Sequence, residues 1–501
     1  MGHGPFGFAP RFDVLGSGMK ILFVSVEVAP FAKVGGLADV AGALPKALRK
    51  LGHDARVIMP SYRMIEEDPR WELSTRLESV SVPLGYLGNK RASYKEIEHE
   101  GVPIGLIGTD QWYTESINSE TIYQPGGVQH LFFSRAILQI LEQIDWIPDV
   151  IHCNDWHTGF LPVLLREQAG TAWDQVASIY TIHNLAYQGE FGMEILDLMD
   201  LPHCLYNPEG VEAWGRVNFL KAGCVYADRV NTVSENYARE IQTSEFGCHL
   251  DGLMTHLGHL GSLSGILNGL DTDTFNPQTD PDIPDHFSEL NLEGKGACRA
   301  KLLQELNMEP IPGAPVFGVV SRLSSQKGMD LILQAADAMF SLPVQLVIQG
   351  LGDPNLTEAF RDLEKRYPAH FRFINRFDAP IAQRVYAGCD GFLMPSTFEP
   401  CGLGQMIAMR YGTVPVVRST GGLSDTVFEG RNGFAFQRRE PMQLLASVAR
   451  AKEAYNSPER WKNLMLNGMR GDYTWDKSAL QYLELYQAAI NDRTMSDAKS
   501  A

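Results

Sequence analysis

No run of apolar residues in this 501-residue chain approaches the roughly 18 that a membrane-crossing helix needs. Positive charge is scarce as well. Lys and Arg number 43 against 60 Asp and Glu, a formal charge of −17. Nucleic acid and anionic membranes both want a basic face, so neither is expected as the main partner. One anionic small substrate is still allowed, given a locally basic pocket. Cysteine is sparse: seven residues, none in a Cys-x-x-Cys pair. That argues against a zinc ribbon, a thioredoxin-type site and a disulfide framework, and for a reducing, cytoplasmic compartment. The Gly-rich first 18 residues lack the apolar stretch of a signal peptide and read as a flexible extension, with Met19 as a natural start.

What the chain does have is alternation. KILFVSVEVAP, ARVIMP, IGLIG, DVIHCN, ASIYTIHN and RVNTVS are mostly apolar, β-branched runs, as in parallel strands buried on both faces, with helical patterns between several of them. Pro/Asp-rich loop sequence, NPQTDPDIPD, interrupts at 276–285. Alternation restarts with VFGVVSRL, VQLVIQG, FRFINRF, GFLMPS and TVPVVRS. This predicts an α/β fold of two Rossmann-like domains with parallel sheets, facing an interdomain cleft. The expected division is an extension at 1–18, domains at 19–270 and 271–474, a last helix at 475–492 and a disordered tail at 493–501. That last helix places Ala479, Leu480, Leu483 and Tyr486 on one side. A local echo links the halves: Gly35-Gly36-Leu37-Ala38-Asp39 and Gly421-Gly422-Leu423-Ser424-Asp425, each at an expected strand-to-helix turn.

Chemistry is sought in the strand-end loops. Lys33-Val34-Gly35-Gly36 follows the first strand; paired glycines admit a ligand close to the backbone, and N–H groups at a helix start favour phosphate. The spacing is neither Gly-x-Gly-x-x-Gly nor a P-loop, which disfavours NAD and Walker-type ATP binding. Arg322 and Lys327 follow the first strand of the second half and suit a diphosphate. Glu399-Pro400-Cys401-Gly402-Leu403 offers free N–H groups beside one carboxylate. A carboxylate there is repelled by phosphate unless it meets sugar hydroxyls or positive charge. His152 to His157, with Asp155, and Thr181 to Asn184, with His183, end two strands of the first half. Asp271-Thr272-Asp273 and the group Cys248, His249, His256 and His259 are weak metal patterns, outweighed by ordinary loop roles.

KVGGLADV, HCNDWHTG, TIHNLAYQG, NFLKAG, ILNGLD, SRLSSQKG, FEPCGLGQMIAMRYG and TGGLSDTV occur in the order seen in bacterial glycogen synthases and plant starch synthases. The chain resembles that family from about Met19 to the WDKSALQYLELY segment. The resemblance implies a GT-B fold, and transfer of glucose from ADP-glucose to the non-reducing end of an α-1,4-glucan with retention and without metal or other cofactor. It also implies a last helix that crosses back to the first domain. By motif, it makes 19–270 the acceptor-side domain and 271–474 the nucleotide-sugar domain. Lys33, Gly35 and Gly36 become donor-binding, and Arg322 and Lys327 the diphosphate clamp. Glu399 and the Cys401–Leu403 backbone become the glucose-binding turn, and His183 and Asp155 line the reacting centre. Asp39, Asn184 and Asn268 fall among the substrate-binding residues. Two departures stand out. Position 404 is Gly where many bacterial members carry Thr, and Ile407 stands where the sucrose- and trehalose-synthesising relatives carry a carboxylate. Other readings are a GT-B enzyme making a small glucoside, a pyridoxal-phosphate phosphorylase of the same architecture, and a catalytically silent glucan-binding protein.

Overall fold

The computed structural model describes residues 18–123, 125–168 and 170–500; apart from Gly18 the expected N-terminal extension lies outside them. The expected strands form. They are β1 (Lys20–Val24), β2 (Asp54–Pro60), β3 (Ser74–Pro83), β4 (Asn89–His99), β5 (Val102–Gly108), β6 (Val150–Asn154) and β7 (Ala177–Ile182). Three short strands follow, β8 (Glu190–Phe191), β9 (Glu212–Ala213) and β10 (Arg216–Asn218), then β11 (Arg229–Thr232) and β12 (Leu263–Gly265). The later set is β13 (Val316–Val320), β14 (Gln345–Gln349), β15 (Phe371–Ile374), β16 (Gly391–Met394), β17 (Val414–Arg418) and β18 (Phe434–Phe436).

Two compact units divide the chain. The first takes residues up to Ile179, Gly189–Asp228, and those from Tyr486; the second takes Tyr180–Gln188 and Arg229–Leu485. The boundary expected at 270 to 271 therefore lies inside the second unit. The reason is local bonding by the segment after β11. Ser234 Oγ donates to the Pro400 carbonyl at 2.5 Å, and the Asn236 N–H to Asp425 at 2.8 Å. The Gly421 N–H donates to Glu240 at 3.0 Å.

In the first unit the strands β6-β1-β2-β5-β4-β3 lie side by side. β6, β1, β2 and β5 are parallel, whereas β4 and β3 add an antiparallel edge. Ile21 to Val24 are wholly buried, the reason this run carries no polar alternation. The second unit holds an all-parallel sheet, β15-β14-β13-β16-β17-β18. It is covered on both faces. Phe317, Leu346, Ile348 and Val416 pack with Leu331, Ile332 and Val448, while Val316 and Val347 pack with Leu302, Leu303 and Val385. Alternate residues of one strand thus serve two cores, and each fully buried Leu or Phe contributes about 1.5–3 kcal/mol.

The last helix, Trp475–Ser500, corrects the sequence reading twice. It continues to Ser500, past the end expected at 492, because NDRTMSDAKS contains neither Pro nor Gly to stop it. Its buried stripe is Ala479, Tyr482, Tyr486 and Ala489; Leu480 is exposed. The spacing of three, four and three is a helical period that keeps the expected Ala479 and Tyr486 and replaces Leu480 and Leu483 by Tyr482 and Ala489. From Tyr486 onward the helix belongs to the first unit, where the Tyr486 hydroxyl meets His152 Nδ1 at 2.8 Å and Arg493 Nε donates to the Asp174 carbonyl at 2.7 Å.

Candidate active site

In the second unit the strand ends bring several expected residues together. Lys327 lies in the turn before the helix Met329–Met339, and its ammonium donates to both oxygens of Glu399 at 2.8 Å. Ser396 Oγ adds a bond to Glu399 at 3.0 Å. The carboxylate side chain is 8% exposed and the ammonium 20%. The expected clamp cation and the expected sugar carboxylate are therefore an ion pair, a contact 72 residues apart in sequence. Gly328 makes it sterically feasible: its φ is +71°, and a Cβ there would stand 2.1 Å from the Pro395 carbonyl oxygen. Arg322 follows β13, is exposed, and among the described residues forms no ion pair.

Beyond Glu399 the chain makes a tight turn. The N–H groups of Cys401, Gly402 and Leu403 have no acceptor among the described residues. Gly402 has φ +74°, and Gln405 Nε2 donates to its carbonyl at 2.8 Å. Gly421 and Gly422 rest on this turn, and the Gly422 N–H donates to the Glu399 carbonyl at 3.1 Å. Burial pushes the Cys401 thiol up to about 12, so it stays protonated and is no nucleophile. Asn268 is buried, and its Oδ1 has no hydrogen-bond partner among the described residues. An orphaned buried acceptor is costly, and a sugar or ribose hydroxyl would satisfy it. His183 follows β7. Burial lowers its imidazole to about 3, so at neutral pH it is an uncharged donor–acceptor. Asn184 Oδ1 accepts from the Ala186 N–H at 3.1 Å, shaping the turn beside it.

The first unit carries the remaining expected residues. Gly35 caps the helix Gly36–Lys50, and neither Gly35 nor Gly36 has a heavy atom within 4 Å of where a Cβ would stand. That open space suits a ligand approaching the helix start. Lys33 pairs with Asp39 at 2.6 Å on the surface. The sequence reading offered the N–H groups of the helix start to phosphate, and the loop amides just before them are taken by a side chain. Val34 N–H and Gly35 N–H donate to Glu27 Oε2 at 2.6 and 2.7 Å, which leaves the first helical amides, from Gly36 onward, as the orphan donors. Asp155 ends β6 with φ +55° and ψ 177°, a region tenable for glycine and strained for aspartate. Such strain marks a side chain whose aim is held by its surroundings.

The neighbours of Asp155 are structural. His152 is wholly buried against Phe23 and Tyr486. His157 packs with Trp156 and His130 and is held neutral by burial. Asp271 serves its own turn, accepting from the N–H groups of Asp273 and Thr274 at 3.0 and 3.1 Å. Among the described residues no three His, Cys, Asp or Glu side chains gather as a metal site. At Gly404, a Cβ would meet Phe392, Met394 and Tyr386 at 3.2 to 3.5 Å, so the turn is tightly packed there. Ile407 is buried among Leu270, Phe392 and Tyr411, where a carboxylate would lack a partner.

Two features were missed. Glu27 is a 3%-exposed carboxylate inside an otherwise apolar strand-end run, a signal visible in KILFVSVEVAP. Phe377 follows β15 and is 81% exposed at the carboxyl edge of the second sheet, the edge where doubly wound folds bind nucleotides. Its clue was an aromatic among the polar residues of NRFDAP.

The starch synthase catalytic domain model matches residues 20–256, and the glycosyl transferases group 1 model matches residues 307–464. The chain is 42% identical to a glycogen synthase of Syntrophotalea carbinolica over 94% of its own length and 99% of the relative's. It is 42% identical to that of Moorella thermoacetica over 95% and 98% of the two chains. Among solved structures it is similar to the catalytic domain of starch synthase IV from Arabidopsis thaliana bound to ADP and acarbose. There the TM-score is 0.86 at 33% identity, covering 95% of this chain and all of that one. A sucrose-phosphate synthase from Thermosynechococcus elongatus, at TM-score 0.58 and 19% identity, shares the fold.

Proposed function

Since the chain belongs to the glycogen and starch synthase family, we propose that its donor is ADP-glucose and its acceptor the non-reducing end of an α-1,4-glucan, with retention at the transferred carbon. Adenine is favoured over uracil by the likeness to a starch synthase solved with ADP. The single observation that carries the mechanism is the Lys327–Glu399 pair beside a turn with three unused N–H groups. In this reading Arg322 and Lys327 stabilise the departing nucleoside diphosphate as the glycosidic bond breaks. Glu399, already holding one ammonium, accepts from glucose hydroxyls, and the N–H groups of Cys401 to Leu403 donate to the sugar or phosphate oxygens. Asn268 offers its free acceptor to a hydroxyl. Neutral His183 positions the sugar and Asp155 orients the acceptor. The acceptor proton leaves with the departing phosphate, in a front-face attack that needs no enzyme nucleophile. Phe377 offers its ring to the base. Lys33, Gly35, Gly36 and Asp39 are assigned to donor binding by motif. A cytoplasmic location fits a chain whose described helices include none long and apolar enough to cross a membrane.

The test is release of ADP from ADP-glucose, or of UDP from UDP-glucose, with glycogen, with and without a chelator. Release that needs glycogen, prefers ADP-glucose and ignores chelator is expected. Chelator-sensitive release contradicts the metal-free clamp, and trapping a glucosyl-enzyme adduct contradicts front-face attack.

A further inference from the structure

Glu27 follows β1 and is 3% exposed, yet it carries charge into a segment that must receive an anionic donor. Its surroundings fix it closely. One oxygen accepts from the N–H groups of Val34 and Gly35 at 2.6 and 2.7 Å. The other accepts from the Tyr123 hydroxyl. The backbone that bears it is locked in turn. Ser25 Oγ donates to the Glu27 carbonyl at 2.6 Å, and the Tyr62 hydroxyl donates to the Val26 carbonyl at 2.9 Å. Tyr123 does not come from β1 or its loop. It belongs to the irregular stretch between β5 and the helix Val128–Gln143, and its ring stacks on His157 at 4.9 Å with 22° between planes. His157 lies two residues beyond Asp155 and packs against Trp156. A chain of contacts thus runs from the Lys33–Gly36 loop through Glu27 and Tyr123 to the turn that bears Asp155.

We infer that Glu27 and Tyr123 are positioning residues that hold the Lys33–Gly36 loop in its donor-receiving shape. This deepens, and rests on, the glucosyl-transfer reading above. The carboxylate takes up the Val34 and Gly35 amides, and the orphan amides of the helix start, from Gly36 onward, are left to a ligand. Tyr123 supplies the third bond, and its phenol stays protonated because burial and the Glu27 charge both raise its pKa. The phenol therefore remains a donor across the neutral range.

The test uses Glu27→Gln and Tyr123→Phe, both close in shape to the originals. Each is assayed for kcat and for KM toward ADP-glucose and toward glycogen. Hydrogen exchange is followed by mass spectrometry on the peptide spanning residues 31–38. We expect faster exchange of that peptide in both variants, with exchange elsewhere unchanged. Loss of kcat/KM for the donor should be roughly tenfold or more, whereas KM for glycogen should hold within about twofold. Exchange and donor kinetics like the parent protein's would overturn the inference. So would losses spread evenly over both substrates and all peptides, which is what a general loss of folding produces. Should Glu27→Gln fail to fold, Tyr123→Phe alone decides, since it removes a single hydroxyl. If the parent protein itself releases no diphosphate, the functional reading fails, and the exchange of residues 31–38 still decides whether the pair holds the loop.

Discussion

Arg322 and Lys327 look alike in the sequence and differ in the structure. Arg322 is exposed with no ion pair among the described residues, whereas Lys327 is bound to Glu399. Their replacements should separate accordingly. Arg322→Ala should leave the melting temperature unchanged and lower kcat by about 100- to 1000-fold at saturating donor, the usual effect of losing one transition-state donor. Lys327→Ala should lower both, because it strands a buried carboxylate, for which the loss is about 3–5 kcal/mol before discounting for the ammonium's partial exposure. Calorimetry beside the turnover assay reads the difference. The buried histidines give a second prediction. Burial lowers His130 and His183 to about 3 and His157 well below its ordinary value. An unfolded histidine titrates near ~6.5, so the unfolded chain takes up these protons first. Stability is therefore complete above that value and is lost as pH falls, by roughly 1.4 kcal/mol per unit for each histidine. The melting temperature should drop between pH 7.5 and 5.5, and by less in His130→Leu. A drop that His130→Leu leaves unaltered would remove that residue from the account.

At the scale of elements, the helix start at Gly36 separates a structural glycine from a ligand-bearing one. Its φ is not positive and a Cβ there meets nothing. Gly36→Ala should therefore keep or raise stability, by about 0.4–1 kcal/mol. If the pyrophosphate approaches that backbone, the same methyl should raise donor KM roughly tenfold, about 1.4 kcal/mol of binding. Unchanged KM would move the donor elsewhere. Much of this layer was legible in advance. Strands such as VFGVVSRL and DVIHCN announced themselves because both faces are buried, which leaves an unbroken apolar run. The β3–β4 hairpin did not, since Ser74–Pro83 is largely exposed and mixes charge with valine. The reach of the last helix was misread because the tail NDRTMSDAKS is polar, although it holds no Pro or Gly to end a helix. Candidate residues were legible as motifs, but their pairings were not. Lys327 with Glu399, and Glu27 with the Val34 and Gly35 amides and Tyr123, join segments whose meeting depends on the whole topology.

For the molecule as a whole, the helix Trp475–Ser500 is shared by the two units. Ending the chain after Leu485 removes Tyr486 from His152, Arg493 from Asp174 and the buried Ala489. The first unit should then unfold earlier than the second, and calorimetry should show the lower transition shifted down while the upper stays in place. A single transition at the original temperature would show that the segment adds nothing to the first unit. The net charge of −17 bears on the same scale, because an anionic donor approaches a molecule that repels it overall. Local cations must do the attracting, and of the three expected ones only Arg322 is without a carboxylate beside it among the described residues.

The Lys327–Glu399 pair bears on how the cycle ends. A polymerising enzyme must discard a spent nucleotide after every added unit, and a bare lysine would cling to it. In the clamp role proposed for Lys327, an ammonium that already has a resident counter-ion gives up the departing anion and falls back on its own carboxylate, so the vacated position resets itself without help from salt or solvent ions.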